Sequence, residues 1–341
     1  MKPFRTVVTP DKAPWQLSHA DRLVSIGSCF SENIGKKFHD YKFTININPF
    51  GQQYNPYSIA NAILRLLNPV PYTQAELVHH DELYHSFDHH GSYSRSTAEE
   101  TLQVINTNLQ QAAQDIKTAT VLFLTFGTSH VFELKNAVKA TESGSPLGGG
   151  GGRVVSNCHK LSGNNFTKRL MEPAEIVSVL TNALNQLRAV NPHIKIVLTV
   201  SPVRYFAFGH HENTVSKAHL FSAIYTMQHA QSDYYYFPAY ELVMDDLRDY
   251  RFFAEDMLHP NYQATDYVWE KLRDTLITPQ AQAIMRDTDE LLLAARHRPR
   301  NPQSEAHRKF VEKNLAKMDL LEKQNSLNFS EERKLLMRFM V

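Results

Sequence analysis

The stretch LVSIGSCFSEN, Leu23 to Asn33, gathers four hydroxyl or thiol side chains around one glycine: Ser25, Ser28, Cys29 and Ser31. Any of them could attack an electrophilic carbon if a neighbouring base took its proton. Far along the chain, AEDMLHPN sets Asp256 three residues before His259. On a turn, both side chains can point the same way. The carboxylate can then accept the imidazole Nδ1–H, leaving the other ring nitrogen to take a proton from a hydroxyl. The spacing equally suits an aspartate that stabilises a turn and a histidine that opens a helix.

These groups need a scaffold, and short apolar runs alternating with helical patterns predict one. RLVSIG (22–27) reads as a first strand, followed by a helix that Ser31 would cap, with Phe30, Ile34 and Phe38 on one face. KFTININ (42–48) is a second strand, and PYSIANAILRLL (56–67) a helix opened by proline. Residues 69–95 read as irregular and histidine-rich, and 97–115 as a polar helix. TATVLFLTFG (118–127) and HIKIVLTVSP (193–202) suit strands buried on both faces. Helices at 172–190, 215–230 and 262–276 and a short strand at 233–240 complete the pattern. The expectation is a three-layer α/β/α domain with a five-stranded parallel sheet over residues 1–278. A charged helical extension follows over 279–341. Its stripe of Val311, Leu315, Met318 and Leu321 predicts packing or homo-oligomer formation, since 12 Lys/Arg nearly balance 9 Asp/Glu over 277–341.

In an open parallel sheet, ligands collect at the carboxyl ends of the strands. The residues just after the apolar runs are therefore the informative ones: Ser28 and Cys29, Asn48 and Gly51, Ser129 and His130, Ser201 and Arg204, Asp256 and His259. Gly27 permits a tight strand-to-helix turn that projects Ser28 over the rim and returns Cys29 toward the core, where free cysteine behaves as a small hydrophobe. Ser28 is thus the preferred nucleophile, and the amides at this helix start are suitable oxyanion donors.

Bulk properties exclude several classes. A net charge of +1 and a pI near 7.8 give no field directed at nucleic acid or an anionic membrane. Two cysteines cannot make a disulfide framework, and the N-terminus lacks the apolar core of a secretory signal, so a cytoplasmic protein is expected. The run Gly148–Gly152 leads into Arg153 without a Gly-Lys-Ser/Thr ending, which predicts a variable loop and not a phosphate cradle. VHHDELYHSFDHH holds His79, His80, Asp81, His85, Asp88, His89 and His90, all residue types that bind zinc. It has neither a helical His-x-x-x-His pair nor HExxH, so solvated or turn histidines are expected, with no metal or other cofactor. The carboxylates of DDLRDYR (245–251) are expected to pair with Arg248 and Arg251 on an exposed loop.

GSCF at 27–30 resembles the signature of the GSCFA family, within the SGNH hydrolase (GDSL-like esterase) superfamily. The resemblance continues through NPFGQQYNPYSI (48–59), DHHGSYS (88–94), FGTSHVFE (126–133), NCHKL (157–161), TVSPVR (199–204), ENTVSKAHL (212–220) and YELVMDDLRDYRFFAEDMLHPN (240–261). It implies a flavodoxin-like sandwich, Ser28 as nucleophile, Gly51 as oxyanion donor, Asp256 and His259 as the acid–base pair, and Asp88, His89 and His90 around the pocket. Two departures stand out. No aspartate lies between Gly27 and Ser28, and the superfamily's Gly-x-Asn after the third strand is replaced by Gly127-Thr128-Ser129-His130. Losing one such oxyanion donor can cost on the order of 100- to 1,000-fold in rate. Asn157, Asn48 or His130 could supply a substitute. The expectation is a serine hydrolase or acyltransferase acting on an ester, with an acylated sugar or glycan as substrate. Rival readings are a non-catalytic carbohydrate- or partner-binding module on the same rim, and a metal-dependent hydrolase built on the histidines.

Overall fold

The computed structural model describes residues 5–135, 152–231 and 233–339. In chain order the first half comprises β1 (Arg22–Gly27), α1 (Cys29–Asp40), β2 (Thr44–Ile47), α2 (Pro56–Leu67), β3 (Leu77–His80), β4 (Leu83–Ser86), α3 (Ala98–Thr118) and β5 (Val121–Phe126). Then follow β6 (His130–Leu134), β7 (Arg153–Val155), β8 (Phe166–Leu170), α4 (Pro173–Val190), β9 (Lys195–Val200), α5 (His210–Ala230) and β10 (Tyr234–Tyr236). A short α6 (Ala239–Glu241), α7 (Tyr262–Leu276), α8 (Pro279–Arg296), α9 (Glu305–Asn325) and α10 (Ser330–Met337) complete the chain.

Five strands form the central sheet in the order β10-β9-β5-β1-β2, every pairing parallel. Counting only these strands along the chain, the order is 2-1-3-4-5, the flavodoxin-like arrangement expected from the sequence, with its switch point between β1 and β5. The alternation of side chains along each strand divides the core. Val24, Ile26, Leu122, Leu124, Ile196 and Leu198 face one way, onto α2, α3, α4 and α5. Leu23, Val121, Phe123 and Val197 face the other way, where Phe30, Ile34 and Phe38 of α1 meet Val268, Trp269 and Leu272 of α7. The four-residue spacing of Phe30, Ile34 and Phe38 thus buries a stripe, and Phe38 packs edge-on against Trp269 at 4.8 Å between centroids.

The structure corrects the sequence reading in several places. Residues 69–95 are not irregular throughout, since β3 and β4 pair as an antiparallel hairpin. After β5 the chain adds a second antiparallel sheet, β7-β6-β8, that no periodicity signalled. These strands are short, only partly buried, and paired across long separations, so their alternation is too weak to read. Helix α5 begins at His210 rather than 215. In DDLRDYR, Asp246 is buried and joins Tyr267 Oη at 2.5 Å and Arg5 at 3.4 Å, while Asp249 does pair with Arg251 at 3.7 Å. Gly148–Gly151 lie outside the described residues.

In the extension, Val311, Met318 and Leu321 pack within the chain against Leu291, Phe329 and Leu336. Helix α8 also enters the main core through Ala281 and Met285. A buried ion pair, Lys42 Nζ to Glu332 at 2.7 Å, joins α10 to the turn after α1. Among the described residues, no helix is long and apolar enough to cross a membrane.

Candidate active site

The turn after β1 is built to be tight. A Cβ on Gly27 would lie 2.5 Å from the Thr125 carbonyl oxygen of the neighbouring strand, so only glycine fits. Its N–H donates to Asn48 Oδ1 at 2.9 Å. Ser28 then takes the N-cap position of α1 with extended backbone, φ −70° and ψ 179°. An N-cap serine ordinarily accepts a hydrogen bond from the first turn. Here Ser28 makes none, and its buried Oγ has no hydrogen-bond partner among the described residues. The Ser31 cap expected from sequence is not formed either; Ser31 lies inside α1 with its Oγ buried and unpartnered. Leaving a buried hydroxyl unpaired costs about 1–3 kcal/mol.

Ser28 faces a cavity of about 640 Å³ above the carboxyl ends of β1, β5 and β9, at the switch point of the sheet. His259, His130, Asn157, Cys29 and Cys158 also line it. Cys29 therefore looks into the cavity and does not return to the core as expected; burial pushes its thiol pKa up. His259 arrives on a loop that Asp256 organises. Asp256 Oδ1 accepts the backbone N–H groups of Leu258 at 2.9 Å and His259 at 3.0 Å, while Oδ2 meets His259 Nδ1 at 2.6 Å. Those amides, and then the imidazole, hold the Asp256 carboxyl down at about 2. Asp256 thus does both things the spacing allowed, bracing the turn and joining the imidazole of His259. Ser28 and His259 share the cavity without a hydrogen bond between them.

Other predicted residues go elsewhere. The Ser28 N–H donates to Thr125 O at 3.2 Å, and the Gly51 N–H to Asn48 O at 2.7 Å, so both expected oxyanion amides are engaged. Gly51 serves the turn itself, at φ +73° and so close to His90 that a Cβ would lie 2.3 Å from the His90 Cβ. Asn48 clamps Gly27 away from the cavity. Ser129 is fully buried, with its N–H and Oγ bonded to Ser216. Asp88 pairs with Arg153 at 2.8 Å and accepts from Tyr72 Oη at 3.1 Å; His89 is buried among Phe50, Tyr72 and Tyr93. None of Asp88, His89 and His90 lines the cavity. His130 does, held between Thr128 Oγ1 and Glu212 Oε2, both at 3.2 Å. Asn157 also does: its Oδ1 accepts the His159 N–H at 2.8 Å, and its Nδ2 has no hydrogen bond among the described residues. Nor does any group of three His, Cys, Asp or Glu among the described residues have the arrangement to hold a metal ion.

One residue, Lys217, went unread, and Arg204, placed at the rim by the sequence, has a role that no motif gave. Lys217 is 2% exposed and donates to Gly127 O at 2.7 Å and Ser201 O at 2.6 Å, tying the ends of β5 and β9 together. It has no carboxylate partner among the described residues, and burial lowers its pKa to about 7. Its signal was positional: in α5, Asn213, Lys217, Leu220, Ile224 and Met227 form one buried stripe, and a lysine in such a stripe is rarely incidental. Arg204 lines the cavity, bonds the Met257 carbonyl, and lies 4.5 Å above the Phe253 ring. It therefore pins the loop that carries His259.

No curated protein matches the sequence. Among solved structures, a carbohydrate esterase family 3 from Talaromyces cellulolyticus aligns at 10% identity and TM-score 0.36, over 78% of this chain and 99% of that one. An acetyl esterase mutant with acetate ion aligns at 9% identity and TM-score 0.33, over the same shares, 78% and 99%. The GSCFA family model matches residues 22–272, and the model of the GSCFA domain protein C-terminal domain matches 288–340. Nearly the whole described sheet and both halves of the candidate site lie inside the first match: the chain belongs to the GSCFA family, an SGNH-like hydrolase family.

Proposed function

We propose that this protein is a serine hydrolase or acyltransferase that cleaves an ester, with Ser28 as nucleophile, His259 as base and Asp256 as the group that orients it. One observation carries the reading: an N-cap serine whose hydroxyl caps nothing faces the same cavity as a histidine whose Nδ1 is already held by a carboxylate. Ser28 Oγ bonds to the acyl carbon as His259 takes its proton. That proton then goes to the departing alcohol as the ester C–O bond breaks. Water, or the hydroxyl of an acceptor, next attacks the acyl-enzyme with His259 again as base, and the bond between the acyl carbon and Ser28 Oγ breaks as His259 returns the proton to Oγ. With the Ser28 and Gly51 amides engaged, the donors left for the oxyanion are Asn157 Nδ2 and the first-turn amides of α1. Catalytic hydrogen bonds are often long before substrate binds, so the unjoined Ser28 and His259 are compatible with this role. Acylated sugars and glycans are the substrate class to assay first. A fluorophosphonate probe should label the wild type and not Ser28→Ala; equal labelling of both would sink the assignment.

The engaged amides motivate a second reading, a carbohydrate- or partner-binding module using the same cavity. A screen of p-nitrophenyl esters and acetylated sugars separates the two: inactivity of folded protein throughout, together with glycan binding, favours the module.

A further inference from the structure

The cavity is larger and more apolar than removal of an acetyl group requires. Its volume of about 640 Å³ falls in the range, roughly 300–1,000 Å³, that encloses a whole drug-sized ligand. Phe132 and Val155, from the added antiparallel sheet, and Val203, from the loop after β9, give it an apolar side. That side is braced: Phe132 meets Phe166 edge-on at 6.4 Å and Phe208 at 6.0 Å, and Val155 is 2% exposed. The two halves of an ester can be assigned to opposite sides. The alcohol must receive its proton from His259, which is 43% exposed, so the alcohol half belongs at the open side. The acyl half, bonded to buried Ser28, is left for the apolar side.

We propose that the acyl half of the substrate is a bulky apolar group, medium-chain or aromatic, seated against Phe132, Val155 and Val203. The proposal rests on the Ser28 reading above and names the group that reading left open.

Two measurements test it. In the first, methanesulfonyl, octanesulfonyl and phenylmethanesulfonyl fluorides are compared by their rate of covalent reaction with the intact protein. Ser28 Oγ bonds to sulfur, fluoride leaves, and His259 takes the proton, so the sulfur substituent stands in for the acyl group. In the second, p-nitrophenyl acetate, octanoate and benzoate keep one alcohol and vary the acyl group alone. Each buried methylene is worth on the order of three- to four-fold, so octanoate, with six more of them, should exceed acetate by roughly 1,000-fold in kcat/KM. The larger sulfonyl fluorides should likewise outpace the smallest. Filling the apolar side with Val203→Phe, checked for folding by its melting temperature, should narrow the octanoate-to-acetate ratio at least ten-fold; Phe132→Ala, which removes the side chain instead, should also narrow it. Acetate and methanesulfonyl fluoride reacting as fast as the larger compounds, or a ratio unmoved by Val203→Phe, would overturn the proposal while Ser28 still labelled. If neither the fluorophosphonate nor any sulfonyl fluoride modifies Ser28, the underlying reading fails and this one falls with it.

Discussion

The histidine-rich hairpin and the Ser28 cavity hold similar collections of imidazole, hydroxyl and carboxyl groups, yet their hydrogen bonding is completed differently. In and around the hairpin, His85, His159 and Asp88 are paired off. His85 bonds Ser94 Oγ at 2.6 Å and the His80 carbonyl at 3.0 Å, His159 bonds the Ser86 carbonyl at 2.8 Å, and Asp88 has both Arg153 and Tyr72. Among the described residues, Ser28 Oγ and Asn157 Nδ2 at the cavity make no hydrogen bond, and Lys217, bonded to the carbonyls of the lining residues Gly127 and Ser201, has no carboxylate partner. Buried polar groups are ordinarily satisfied, and unpaired ones occur elsewhere too, at Ser25, Ser58 and Trp269 for example. What sets Ser28 apart is that it borders a cavity a ligand can enter. Residue type alone ranks the two regions the other way round, because the hairpin is the richer in metal- and proton-binding side chains.

Substitutions can break or sharpen this contrast. Ser28→Ala should have the largest effect, removing covalent labelling entirely; intact labelling would erase the distinction between the regions. Asp256→Asn comes next. It keeps the shape but loses the charge that fixes the imidazole tautomer, and kcat should fall by roughly 100- to 10,000-fold with little change in melting temperature.

Lys217→Met should strand the Gly127 and Ser201 carbonyls and cost about 2–4 kcal/mol in denaturant unfolding near pH 7. The pH dependence has a definite sign. The Lys217 pKa is about 7 folded, against roughly 10.4 for an unperturbed lysine, so the unfolded chain holds the extra proton between those values. Wild type should therefore gain stability relative to Lys217→Met as pH rises from about 7 to about 10; a flat difference would mean that the ammonium is not desolvated.

The smallest expected change lies in the hairpin. Burial lowers the His89 pKa to about 3, so the stability tied to its neutral form is present above roughly pH 6.5 and is lost as pH falls toward 3. His89→Phe should flatten the acid side of the stability profile and leave labelling of Ser28 unchanged. A loss of labelling would place His89 in the cavity's machinery after all.

Much of this was legible in the sequence because it depends on local order. The continuous apolar runs of β1, β5 and β9 give a buried parallel sheet, and the sheet gives the rim. The three-residue spacing of Asp256 and His259 sufficed because the same turn supplies the amides that aim the carboxylate. Gly51, Asn48 and Ser129 misled for the opposite reason. Whether an amide or hydroxyl is free depends on partners set by tertiary packing, here Asn48, Gly27 and Ser216, and no motif records those bonds. The β6–β8 sheet escaped notice because its pairing is non-local, although it supplies part of the cavity wall.

The Lys42–Glu332 contact bears on how the protein can be shortened. Lys42 stands at the far end of the same helix that begins beside Ser28, and its ammonium also lies 5.4 Å from the Phe329 ring. Cutting the chain before α9 would therefore do more than shed a tail. It would strand a cation at the foot of α1, expose the apolar faces of Leu291 and Ala294, and loosen from below the strut whose upper end presents the serine.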